Sequence, residues 1–371
     1  MTSDLSLAQL RRLRLKNQRL AEGARVASGA SVVRDLCALQ AQEWSSAQLA
    51  IAARATGITQ ADIRRAREVD RSFVLTWSLR GTLHLIAVED VASQLALCGP
   101  GAIRGTRRRY QQLGLSESIR EKALGEIQDI LKREGALIRS QLAQALAERG
   151  IPVAGQAIHH LVRYAALRGL ICLGPELDGD LTYVLLADWQ PIGTGLWRPQ
   201  DPARELALRY LRAYAPATLV DFSRWFGLGA REVKAAWAAV ADECFTVSIP
   251  GGEAFMLHEQ ISDLMKMPEQ QPARFLPRYD NYLLGYASRD FMVDEAYAKQ
   301  VHPGGGLIRA CVIIDGEAVA NWKLEKRRAG VRVVVEPFEA LERSIFPSLE
   351  AEVESLGRFL DTDAELRVAK G

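Results

Sequence analysis

Three times along the chain, a run of helix-periodic segments leads into a short β-rich pair, with repeats spaced by roughly 70 to 90 residues. No other feature of the sequence narrows the fold as much. The first run has Leu7, Leu10 and Leu13 at helical spacing, then 33–39, then a helix opening after Thr59, a natural N-cap. It ends in two β-rich pieces, 73–79 and 82–86, joined at Arg80-Gly81. The second run predicts helices at 119–133, 141–149 (capped by Ser140) and 156–168, then strands at 170–173 and 183–186 around a polar turn. The third places helices at 205–214, 218–226 and 230–240 ahead of the strand 245–248. Three helices followed by a β-ribbon is a winged-helix pattern, so the recurrence reads as an array of three like modules.

From about Pro272 the helical period fades. The segments 310–314, 318–322 and 331–335 are rich in β-branched residues and joined by Asp315-Gly316 and Ala329-Gly330. Asp-Gly between such runs is a strong hairpin signal. The expected fold is α+β and mainly helical: three tandem winged-helix modules, then a small C-terminal antiparallel β-barrel or sheet. A helix over 341–359 and a last strand at 364–368 close it. The expected division is 1–100, 101–195, 196–265 and 266–371.

Composition excludes several classes. With 48% hydrophobic and 25% charged residues, the 371-residue chain is an ordinary globular one. Its longest apolar runs fall short of the ~20 residues a membrane span needs, and 1–16 lacks the apolar core of a signal peptide. Five scattered cysteines form no CxxC pair, which fits reduced thiols in a cytoplasmic protein. Five histidines show no metal-ligand spacing, so neither metal nor cofactor is expected. Lys+Arg 47 against Asp+Glu 45 gives a net charge of +2, so any affinity for nucleic acid must come from local clusters.

Within the first module, the helical period stops at Gln40-Ala41-Gln42. Side chains two apart point away from each other on a helix but share a side on an extended segment. If the helix that starts near Val33 ends by about Gln40, and Ser45 or Ser46 caps the next one, two uncharged amides meet at a helix break. The competing reading is two glutamines on a solvated surface.

Three motifs in order, LQAQEW (39–44), SLRGTLHLI (78–86) and FLPRYDNYLLGYASRD (275–290), resemble the AlkZ/YcaQ family of bacterial winged-helix DNA glycosylases. The resemblance runs over essentially the whole chain. It implies a glycosylase that removes bulky N7- and N3-alkylated purines and unhooks interstrand cross-links, with self-resistance to an azinomycin-type genotoxin as the implied setting. The family's catalytic motif, Gln, an aliphatic residue, then Gln or Asp, corresponds here to Gln40 and Gln42. His84, which follows Gly81-Thr82-Leu83, is a third candidate, with a buried structural histidine as the alternative. His159 and His160 receive no role. Asp280 reads as an Asx-turn residue, and by resemblance the 275–290 segment is architectural.

The expected partner is double-stranded DNA with alkylated purines, met by a monomer. Three basic clusters could take phosphates. Arg11, Arg12, Arg14 and Lys16 lie on the first helix. Arg104, Arg107, Arg108 and Arg109, beside Tyr110, fall in a Gly-containing linker. Lys323, Lys326, Arg327 and Arg328 surround the C-terminal hairpin turn. A solvated charged face is the plain alternative for each.

Hydrolysis of an N-glycosidic bond passes through an oxocarbenium-like state and needs a water held against one face of the sugar. An N7- or N3-alkylated purine is already cationic and leaves readily, so two neutral amides that orient water can suffice. No lysine stands where a Schiff base would form, which favours a monofunctional enzyme. The alternative is a winged-helix DNA-binding protein without chemistry, a regulator or a lesion-sequestering protein. A nuclease is more remote, because paired carboxylates for a divalent cation are not evident.

Overall fold

In the computed structural model, residues 4–189, 200–266 and 269–369 are described. Two compact units emerge. The first comprises Met1–Arg64, Ala203–Trp225 and Ala230–Gly371; the second comprises Arg65–Pro202 and Phe226–Gly229. The boundary between the units at Arg64/Arg65 falls inside the first repeat. The expected boundary at 195/196 lies outside the described residues.

The helix–helix–helix–hairpin order does recur. Helices Gly29–Asp35, Trp44–Ala52 and Gln60–Glu68 precede strands Phe73–Trp77 and Leu83–Ala87. Helices Glu117–Glu134, Arg139–Glu148 and Ala157–Leu167 precede Ile171–Leu177 and Asp180–Leu185. Helices Pro202–Tyr214, Leu219–Phe226 and Ala230–Ala238 precede Cys244–Ile249 and Gly252–Leu257. The local reasons are those read in the sequence. Thr59 Oγ1 accepts from Asp62 N–H while the Asp62 carboxylate accepts from Thr59 N–H, a reciprocal cap on Gln60–Glu68. Ser140, by contrast, is not a cap: its helix begins at Arg139, and the Gln141 side chain takes the Ile138 N–H.

In the second unit the first and second hairpins do not stand as separate wings. Leu75 pairs with Leu173, joining the two hairpins antiparallel, and the short strand Leu137–Ile138 adds to Asp180–Leu185. Beneath the joined hairpins lies an apolar cluster of Val74, Ile86, Val88, Val91, Leu95, Cys172, Leu186 and Trp189. The pattern repeats in sequence, but burial of its apolar face is shared between neighbours. At the first turn, Gly81 has φ 69°, a left-handed conformation that favours glycine over residues with a Cβ.

The C-terminal part of the first unit is an open five-stranded sheet, not a closed barrel. Its strands run in the order Ala364–Val368, Val331–Pro337, Glu317–Lys326, Cys311–Ile314, Arg274–Leu276. All neighbours are antiparallel except Val331–Pro337 with Ala364–Val368. That parallel pair exists because helix Phe346–Leu360 carries the chain back between the two strands, as a parallel connection requires. Asp315 (φ 48°) and Gly316 (φ 81°) form the hairpin turn expected of Asp-Gly. Among the described residues no helix is long and apolar enough to cross a membrane.

Candidate active site

The first unit contains the glutamine motif, and the chain breaks there as its spacing demands. The helix Gly29–Asp35, capped by Ser28, ends early; Cys37 turns the chain at φ 63°, and Leu39–Gln40 is extended. The next helix starts at Trp44 with Glu43 at its N-cap position, so Ser45 and Ser46 lie inside it and cap nothing. On the extended segment the two amides meet: Gln40 Nε2 donates to Gln42 Oε1 at 2.8 Å. Gln40 is 5% exposed, whereas Gln42 is exposed. The inner amide thus orients an outer one that faces solvent. Gln42 Oε1 keeps a second lone pair and Nε2 two donors, enough to hold one water.

The neighbouring carboxylate is neutralised. Glu43 pairs with Arg278 at 2.7 Å and accepts from Ser46 Oγ at 3.1 Å. What the site offers is therefore oriented neutral dipoles beside a screened charge.

A buried network underlies this segment. Arg54 and Asp280 form a bidentate pair at 2.7 Å with both side chains fully buried. The remaining guanidinium donors reach Gln18 O, Gln18 Oε1 and Ala50 O at 3.0–3.3 Å, so all five N–H groups have acceptors. Asp280 Oδ1 also accepts from Tyr282 N–H at 2.8 Å, capping Asn281–Leu284, which is the Asx-turn role expected of it. Asn281 then contacts the backbone at Ala38 and Gln40. Sequence reasoning missed Arg54, Tyr214 and Asn281; the one signal available was the 275–290 motif, whose residues lie about 240 positions from the glutamines they support.

His84 belongs to the second unit, on strand Leu83–Ala87, with no solvent exposure. Its Nδ1 donates to the Thr82 carbonyl at 3.0 Å. Burial, aided by Arg80, holds its pKa down to about 3, so it is neutral at physiological pH and cannot act there as an imidazolium acid.

The basic clusters separate sharply. Arg14 is a correction: at 3% exposure it donates twice to the Pro216 carbonyl and lies over the rings of Tyr286 and Phe291. Arg11 pairs with Glu317 at 2.6 Å and Arg12 with Asp315 at 2.8 Å, tying the first helix to the C-terminal hairpin within the first unit. The three guanidiniums of that cluster find acceptors across the fold, and Lys16, partly exposed, pairs with Asp263. Arg104, Arg107 and Arg108 are exposed and, among the described residues, form no ion pair. They stand on helices Val91–Gly105 and Arg107–Gln112, however, and not in a linker. Arg109 is bound to the Gln112 and Gln156 amides. In the third cluster all four cations are exposed; Lys323 pairs with Glu336 and Arg327 lies near Glu325 and Glu365, while Lys326 and Arg328 form no ion pair among the described residues.

Among the described residues no group of three or more His, Cys, Asp or Glu could hold a metal ion. The five cysteines form no disulfide; four are buried.

Comparison with known proteins adds to this geometry. A family model described as DNA glycosylase AlkZ-like matches residues 33–359. An interstrand DNA cross-link repair glycosylase from Streptomyces sahachiroi is 28% identical over 351 residues, covering 89% of this chain and 90% of its own length. The solved structure of the Streptomyces sahachiroi DNA glycosylase AlkZ superposes with a TM-score of 0.84 at 26% identity, over 99% of this chain and all of that one.

Proposed function

Because the chain belongs to the AlkZ-like family of DNA glycosylases, we propose that Gln40 and Gln42 hold the water that hydrolyses the N-glycosidic bond of N7- and N3-alkylated purines in duplex DNA. The observation that carries this reading is the amide pair itself, an inner side chain donating to an outer, exposed one at a break between helices. The water oxygen bonds to the sugar C1′ as the bond to the base breaks. The electron pair of that bond neutralises the cationic purine, and the water's proton passes to solvent. An alkylated purine is so good a leaving group that positioning and charge stabilisation can supply most of what is needed. No carboxylate base is required, consistent with Glu43 being held by Arg278.

The substrate range extends in this reading to interstrand cross-links, supported by the similarity to a relative named for their repair. In this reading the reaction ends at an abasic site, because water and not a protein amine attacks C1′. Phosphates are contacted in this reading by basic residues of the clusters that are exposed and without an ion pair among the described residues, Arg104, Arg107 and Arg108 foremost. His84 supports its hairpin and takes no part in the reaction.

The test is incubation with a duplex carrying one N7-alkylguanine and mass spectrometry of released base. The unaltered protein should release it; Gln42→Ala and Gln40→Ala should lower the single-turnover rate by about tenfold to a thousandfold. Gln42→Asp should keep appreciable rate, because a carboxylate can accept from the same water. Release at the normal rate by both alanine variants would dismiss the amides. Tight lesion binding without any release by the unaltered protein would instead favour sequestration.

A further inference from the structure

We propose that Asn281 is the positioning residue of the glutamine pair, acting through the backbone of Gln40; the inference rests on the role given above to Gln40 and Gln42. Asn281 Oδ1 accepts from Gln40 N–H at 3.0 Å, and its Nδ2 donates to the Ala38 carbonyl at 2.8 Å. These two backbone groups flank Leu39 on one edge of the extended segment. They are the pair a parallel strand would engage, so on that edge the side-chain amide takes the place of a strand.

The consequence concerns register. Side chains alternate along an extended chain, and a slip of one residue sends each to the opposite face. Gln40 and Gln42 keep their shared, present face only while Ala38 and Gln40 keep their present partners. Between helices ending at Asp35 and starting at Trp44, the segment has no helical hydrogen bonds to set that register. On this edge Asn281 fixes it, from a distance of 241 residues in sequence.

Asn281 is itself rigidly placed. It is 1% exposed, and its second Nδ2 hydrogen goes to Tyr214 Oη at 2.7 Å, so the amide's two donors and its oxygen are all engaged. Its position at the start of the Asn281–Leu284 turn follows from the Asp280 cap, and Asp280 is held by Arg54. Gly285 completes the placement: a Cβ there would lie 2.4 Å from the Tyr214 ring, so glycine lets Tyr214 approach. A residue serving stability alone could end on any buried group. This one ends on the peptide of the residue whose side chain holds Gln42.

The experiment is a double-mutant cycle read by single-turnover release of N7-alkylguanine, with lesion-DNA affinity and melting temperature measured alongside. Asn281→Ala should reduce the rate by about tenfold to a hundredfold, the scale of a misplacement near 1 Å. Lesion affinity should stay within about twofold, because the change acts on the transition state and not on DNA contacts. In a Gln42→Ala background the same substitution should cost less than about threefold, because the group it positions is already gone. Equal losses in both backgrounds would make Asn281 a general stabilising residue and overturn the proposal while leaving the role of the glutamines intact. An unimpaired Gln42→Ala variant would overturn both. If Asn281→Ala does not fold, Tyr214→Phe removes only the hydroxyl that orients the Asn281 amide. It should give a smaller rate loss that likewise vanishes in the Gln42→Ala background, and its persistence there would also overturn the proposal.

Discussion

At the scale of the single residue, the site depends on a buried charge. Arg54 and Asp280 have no access to water, and every guanidinium donor is bound. A buried pair of this kind contributes little over an apolar pair of the same volume, but losing one partner leaves the other charged and uncompensated. Asp280→Asn should therefore lower unfolding stability by about 3–5 kcal/mol in denaturant titration. A loss below about 1 kcal/mol would show that the guanidinium finds water or another acceptor once the carboxylate is gone. Activity per folded molecule should fall too, since Asp280 caps the turn that presents Asn281.

At the scale of the element, helix ends and turns decide which charges face solvent. The first helix spends Arg11, Arg12 and Arg14 on Glu317, Asp315 and the Pro216 carbonyl, so its basic cluster is not a free surface. Exposed cations do lie on the helix pair Val91–Gly105 and Arg107–Gln112, at Arg104, Arg107 and Arg108. Replacing Arg104, Arg107 and Arg108 together with Ala should flatten the log–log salt dependence of duplex binding by about 2.7, at about 0.9 per lost phosphate contact. Melting temperature should hardly move. An unchanged slope would assign the three side chains to a merely solvated face.

At the scale of the whole molecule, buried histidines give stability a pH dependence. A His84 pKa near 3 in the folded protein, against the ordinary 6.5, means the unfolded chain binds the proton first. The contribution is complete above pH 6.5 and is lost as pH falls from there toward 3, with a slope of up to about 1.4 kcal/mol per pH unit. His160 and His302, both held down to about 4 chiefly by burial, act in the same direction. In His84→Gln, acid unfolding measured by circular dichroism should lose about one proton's worth of this slope. An identical acid limb in both proteins would show that His84 stays neutral in the unfolded chain or is hydrated in the folded one.

Local rules read from the sequence account for a good deal of this molecule. The i, i+2 spacing of Gln40 and Gln42 required a break, and the helix does end at Asp35. Asp315-Gly316 required a hairpin turn, and 364–368 required a strand; both are present. These are legible because capping, turn chemistry and side-chain alternation act over a few residues. Tertiary structure alone decided what acts over hundreds. It joined the first two hairpins, left the C-terminal sheet open, and turned the Arg11–Arg14 run inward. It also brought Asn281 to the backbone of Gln40. Burying a polar group requires a partner wherever the fold can supply one, and a residue's type does not say which distant segment that will be.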